Sequence, residues 1–109
     1  MEPRLRDLML ALGQLRDLDP DMPMAQAMSL LEIATHEGLS LKELADRVGI
    51  GMASASRYVA AFGKPNPKGT KGHGLVVAVE DPMERRKKII TLTVKGRGFI
   101  NKLGGGDAN

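Results

Sequence analysis

The sequence has no cysteine, no tryptophan and only three aromatic residues, Tyr58, Phe62 and Phe99. The absence of cysteine excludes disulfides, thiolate metal sites and thiol redox chemistry. So few aromatics argue against a single-strand binder that stacks bases on aromatic platforms. No apolar run approaches the ~20 residues of a membrane-spanning helix, and the N-terminus lacks a basic-then-apolar signal pattern. A cytoplasmic protein without membrane association is expected. Histidine is scarce too: His36 falls in a helical pattern and His73 in a distant glycine-rich loop, so the two do not suggest a metal pair. Neither has a nucleophile beside it, no paired carboxylates flank a cleft-forming motif, and neither glycine cluster fits the phosphate-binding form G-x-x-x-x-G-K-S/T. The chain is expected to be neither an enzyme nor a cofactor carrier.

What is present is a strong charge asymmetry within 109 residues, a length that suits one domain with one modest core. Residues 1–56 hold five Lys/Arg against nine Asp/Glu, and residues 57–109 hold eleven against four, so the halves stand at −4 and +7. A basic half is suited to a phosphate backbone.

Ser40 to Phe62, SLKELADRVGIGMASASRYVAAF, carries the clearest pattern. Ser40 and Glu43 form a capping box that starts a helix at Leu41, and Leu41, Leu44, Ala45 and Val48 make its apolar stripe. Gly49 can take the left-handed conformation that ends this helix, and Gly51 stands at the N-cap of the next. In that second helix Ala55, Tyr58, Val59 and Phe62 form the inner stripe. Ala53, Arg57 and Ala60 face outward, flanked by Ser54, Ser56 and Ala61. Two short helices with a glycine turn have the spacing of a helix-turn-helix, although such pairs also occur outside DNA binding. The outward face suits base edges: small residues allow close approach, Ser54 and Ser56 can bond to bases or phosphates, and Arg57 can grip guanine.

Upstream, Pro3 opens a helix to about Leu18 with Leu5, Leu8, Met9, Leu12 and Leu15 at helical spacing. A second helix, from Met24 to Glu37, is expected to face Ala27, Met28, Leu30, Leu31 and Ala34 inward and to end at Gly38. Leu39 can form one short strand bridge. Downstream, residues 63–74 are a breaker-rich loop in which Lys64, Lys68 and Lys71 can reach phosphates. Leu75–Val79 and Ile89–Thr93 read as strands, the second with Ile90, Leu92 and Val94 alternating against Thr91 and Thr93. They frame a hairpin with Arg85, Arg86, Lys87 and Lys88 near its tip, where Asp81 and Glu84 are expected to pair with the arginines. Directly after a helix-turn-helix, such a hairpin is a wing whose arginines can enter the minor groove. Thr93 caps a last helix, Val94 to about Leu103.

The order of elements, the stretch Asp81-Pro82-Met83-Glu84-Arg85-Arg86-Lys87-Lys88-Ile89-Ile90-Thr91-Leu92-Thr93-Val94-Lys95-Gly96-Arg97, and the pairs Leu44–Ile50 and Ser54–Arg57 resemble the MarR-type winged-helix regulators over about Leu30 to Leu103. The resemblance implies an α+β, mainly helical fold: a winged helix-turn-helix with an N-terminal helix and a two-stranded β-wing. It further implies a dimeric transcriptional repressor or activator, with residues 52–62 in the major groove of double-stranded DNA and the wing, 80–88, in the minor groove through Arg85 or Arg86. The chain departs from the family pattern in ending soon after the helix that follows the wing, in its longer loop at 63–74, and in Glu84 where aspartate is typical. Residues 1–103 are expected to form one DNA-binding domain and 104–109 a disordered tail.

These readings converge on a sequence-specific regulator, a repressor in preference to an activator, with Ala53, Ser54, Ser56, Arg57, Lys64, Lys68, Lys71, Arg85, Arg86 and Lys87 against DNA. No small-molecule effector is indicated. A homodimer held by the first helix through Leu5, Leu8, Leu12 or Leu15 is expected. The rival is a winged-helix module of a replication or partition complex. It is disfavoured because such a module need not place cations on helix, loop and wing together.

Overall fold

Pro3 supplies no N–H where none is needed, and the Glu2 carboxylate accepts from the Arg4 N–H at 2.9 Å, so helix α1 starts at Pro3 and runs to Leu18 (Pro3–Leu18). The computed structural model describes residues 2–64 and 72–104. Helix α2 (Met24–Thr35) follows a short turn, then α3 (Leu41–Val48) and α4 (Met52–Phe62), strands β1 (Val76–Glu80) and β2 (Lys88–Leu92), and helix α5 (Val94–Leu103). This is the expected α+β, mainly helical winged helix-turn-helix. Lys68, Lys71 and residues 105–109 of the expected tail lie outside the described residues, while the first residue of that tail, Gly104, is the C-cap of α5.

Local chemistry accounts for the joints. Ser40 Oγ accepts from the Glu43 N–H at 3.1 Å while the Glu43 carboxylate accepts from the Ser40 N–H at 2.9 Å, a complete capping box contributing about 1 kcal/mol. Gly49 ends α3 at φ 82°, where a side chain would be strained, and the N–H groups of Gly49 and Ile50 both return to the Ala45 carbonyl. That turn swings the chain into α4 with Gly51 as its N-cap. Thr93 caps α5 by accepting from the Gly96 N–H at 2.9 Å.

The core lies where α2, α3 and α4 meet the base of the wing. Phe62, Leu30, Ile33, Leu44, Leu75 and Val76 are fully buried there, with Leu15 of α1 joining them and Phe99, Ile100 and Leu103 of α5 packed against the cluster. β1 and β2 pair antiparallel, from Val76 opposite Leu92 to Glu80 opposite Lys88. The burial pattern decays along β1 towards its outer end, so the hairpin projects from the body. Leu39 bridges Ile90 as an isolated rung beside β2.

Three inward expectations and three element bounds are corrected. Met28 and Leu31 are 46% and 43% exposed, and Ile33 takes the buried place instead. Helix α2 carries apolar residues on every side and buries the polar Gln26 and Ser29 beside Leu30 and Ile33, so its apolar spacing does not single out the inner face. It also ends at Thr35, two residues early, with His36 as its C-cap and Gly38 in the turn that follows. Val94 is 89% exposed, because it is the first residue of α5 rather than the continuation of a strand. Both strands sit one residue away from their expected bounds. Leu75 is drawn off to bond with Phe62 and Thr93, and Thr93 is committed to capping α5.

Candidate nucleic-acid interface

Helix α4 buries Ala55 and Phe62 and half-buries Tyr58 and Val59, which turns the remaining side outward. Ala53, Ser56, Arg57 and Ala60 are exposed there, and Ser54 is half-buried at the edge. Among the described residues Arg57 makes one long contact, from Nη2 to Ser54 Oγ at 3.4 Å, which leaves donors of its guanidinium for another partner. Lys64 is exposed just beyond the Gly63 cap of α4.

The other end of the loop is fastened to this helix. The N–H groups of His73, Gly74 and Leu75 donate to the carbonyls of Ala61, Gly63 and Phe62 at 3.1, 2.8 and 2.7 Å. The His73 ring lies 6.1 Å from that of Phe62, tilted by 44°. The chain that leaves α4 therefore returns to the same point before entering the wing.

At the wing tip the Asp81 carboxylate accepts from the Met83 N–H at 2.9 Å, and backbone bonds join Glu84 to Asp81 and Lys87 to Glu84. Among the described residues no ion pair joins Asp81 or Glu84 to Arg85 or Arg86. The expectation that these acids pair with the arginines is therefore corrected: Asp81 shapes the tip through the backbone, and both arginines stand exposed. Lys87 is half-buried and reaches the Glu43 carboxylate at 3.6 Å, which ties the tip to the start of α3 and uses part of its charge within the molecule. Ser40, chiefly through its backbone N–H, and then Lys87 hold the Glu43 carboxyl below the usual carboxylate range.

Features of two kinds escape a reading of the sequence, exposed methionines and a long-range carboxylate tie. Met83 is 93% exposed at the wing tip, and Met52 is exposed at the first position of α4. The position of Met83 between Pro82 and Glu84 in a turn is the signal that could have shown the first. The second is Glu37, whose carboxylate accepts from the Leu92 N–H at 3.0 Å and from both terminal nitrogens of Arg97, at 2.6 and 2.9 Å. The Leu92 N–H, and after it the Arg97 guanidinium, hold the Glu37 carboxyl below the usual range. Nothing local marks Glu37, since its partners are 55 and 60 residues away.

Away from this surface, α1 keeps Leu5, Leu8, Met9, Leu10 and Leu12 exposed. Leu15, also expected at a dimer contact, is only 5% exposed and belongs to the core of its own chain, which leaves Leu5, Leu8 and Leu12 available. An open groove of about 660 Å³ runs between α1 and α5, lined by residues that include Leu10, Gln14, Phe99 and Leu103. His36 contacts Thr35, Glu32 and Arg47, and among the described residues no three His, Asp or Glu side chains gather as a metal site. No described helix is long and apolar enough to cross a membrane.

No protein-family model matches the sequence, and no curated protein does. Solved structures do. The chain is similar to a transcriptional regulator of Thermotoga maritima, with a TM-score of 0.73 and 21% identity over 99% of this chain and 69% of that one. A MarR-like transcriptional regulator of the same organism matches with a TM-score of 0.67 and 23% identity, over 84% of this chain and 60% of that one. The transcriptional repressor CouR, bound to a 23-mer DNA duplex, matches with a TM-score of 0.65 and 25% identity, over 98% of this chain and 68% of that one. In several of the matching structures the chain spans under two thirds of the other protein, 57% to 66% of its length.

Proposed function

We propose that this chain, which has the fold of the MarR-type winged-helix transcriptional regulators, is itself a sequence-specific regulator that binds double-stranded DNA, acting as a repressor. The observation that carries the reading is Arg57: it stands exposed at the centre of a face of small residues on α4, and among the described residues it makes one long contact, to Ser54. In the complex, α4 lies in the major groove with Ala53, Ser54, Ser56 and Arg57 against base edges. Lys64, Lys68 and Lys71 lie on phosphates, and Arg85 and Arg86 enter the adjacent minor groove. Lys87 contributes less, because Glu43 already shares its charge.

Selection of bound sequences from random duplexes tests the reading. A defined, palindromic consensus is the expected result, and recovery of unselected sequence would remove sequence-specific binding. Arg57→Ala should relax preference at one base position and cost roughly 1–3 kcal/mol, whereas Lys68→Ala should weaken all duplexes alike. An equal loss on every duplex from Arg57→Ala would reassign that arginine to a phosphate.

The proposed regulator is a homodimer in which α1 packs through Leu5, Leu8 and Leu12, so that two copies read half-sites roughly 34–36 Å apart. These leucines are exposed in the single chain, so charging them spares the core. Leu5→Glu with Leu12→Glu should yield folded monomers with weakened operator binding, as followed by light scattering and titration. If the unsubstituted protein were monomeric at concentrations that saturate its site, the dimer would have to be abandoned.

A further inference from the structure

The edge of β2 that faces away from β1 meets the segment between α2 and α3. Ile90 makes both bonds of a rung there: its N–H donates to the Leu39 carbonyl at 2.8 Å, and its carbonyl accepts from the Gly38 N–H at 2.9 Å. Alternate residues of a strand point the same way, so the Leu92 N–H lies on this edge too and needs an acceptor. The chain at Glu37 is still turning out of α2 and offers no extended backbone at that level. The Glu37 carboxylate takes the rung instead, through Oε1 at 3.0 Å, and Arg97 of α5 closes on both of its oxygens. One side chain thus joins the end of α2, the root of the wing and the helix behind it.

We propose that Glu37 is a positioning residue for DNA binding: it sets the angle at which the wing leaves the helix-turn-helix, and so the reach of Arg85 and Arg86. This rests on the DNA-binding reading above. The wing acts as a lever. Five strand residues at about 3.3 Å each place the tip roughly 16 Å from Leu92, so a rotation of about 5° at the root moves the arginines by about 1.4 Å. Hydrogen bonds of about 2.7–3.2 Å do not survive such a shift. The Lys87–Glu43 pair, at 3.6 Å and partly exposed on both sides, is too weak a tie to replace the root contact.

A double-mutant cycle on the full chain, with a duplex selected from a random pool as the probe, tests the proposal. Glu37→Ala should lower affinity roughly tenfold, and Glu37→Gln, which keeps an acceptor for the Leu92 N–H but loses the charge opposite Arg97, should lower it less. In an Arg85→Ala/Arg86→Ala background either change should cost less than about twofold, because there is no longer a contact to misplace. Hydroxyl-radical protection in the minor groove beside the half-site should fade while the base preference owed to Arg57 persists. An equal loss from the Glu37 variants with and without the two arginines would overturn the proposal and leave Glu37 a stabiliser of the fold alone. If Glu37→Ala does not fold, Glu37→Gln decides by the same comparison. An arginine variant that binds as tightly as the unsubstituted protein would instead overturn the wing contact, and the positioning role with it.

Discussion

Gly96→Ala should destabilise the protein by about 3 kcal/mol, although replacing a helical glycine by alanine ordinarily stabilises by up to ~1 kcal/mol. Gly96 is buried in the first turn of α5, where its backbone lies directly on the Leu75 carbonyl. A Cβ there would stand 2.9 Å from the carbonyl carbon and closer still to the oxygen. That oxygen cannot retreat freely, since it accepts from the Thr93 N–H at 3.0 Å, and the Thr93 hydroxyl in turn donates to the Gly74 carbonyl at 2.6 Å. Gly98, two residues on in the same helix, has open space where its Cβ would be. Gly98→Ala is therefore expected to stabilise by up to about 1 kcal/mol, raising Tm by about 4–8 °C, whereas Gly96→Ala should lower it by more than about 10 °C. Thermal unfolding of the pair checks this. If both variants were stabilised, α5 would not pack on Leu75 as described.

The second large effect is on DNA binding as salt is raised. If Arg57, Lys64, Lys68, Lys71, Arg85 and Arg86 all face DNA, each phosphate neutralised contributes about −0.9 to the slope of log K against log salt. Six contacts imply a slope near −5 per subunit and a loss of about a thousandfold between about 50 and 200 mM salt. Titration of a duplex at several salt concentrations gives the slope directly. A slope near zero would remove DNA as the principal partner. Arg85→Ala should reduce the slope by about one, while Lys87→Ala should reduce it by less, because Lys87 keeps company with Glu43.

The parts of this fold that could be read from the chain are those whose cause is local. Ser40 and Glu43 cap each other across three residues, Gly49 must supply a left-handed turn, Pro3 and Thr93 open helices, and α3 shows one clean apolar stripe. Burial in α2 is not legible from the chain: apolar residues lie on several of its faces, the buried face includes the polar Gln26 and Ser29, and only the neighbours of the helix decide that Ile33 rather than Met28 or Leu31 turns inward. The outward side of α4 followed from its inward side, so Ala53, Ser56 and Arg57 were legible. The wing's cations were legible as a run, but their division was not. Lys87 turns to Glu43, 44 positions earlier in the chain, and Asp81 turns to the backbone of Met83 rather than to an arginine. Glu37 depends on partners far along the chain, which no short window of sequence contains.

The closure of the chain at residues 61–63 and 73–75 bears on how such a protein can change over time. The three backbone bonds there hold residues 61–63 against residues 73–75, so the two ends of the intervening stretch are already brought together. Doubling the length of such a loop costs only about 0.6 kcal/mol, so residues can be gained, lost or recharged there without disturbing the helix above or the strand below. The stretch carries Lys64, Lys68 and Lys71 and no acidic residue. Insertion, deletion and charge substitution in it can therefore raise or lower the general attraction to DNA while leaving the residues of α4 that choose the sequence untouched, and the two properties are free to evolve separately.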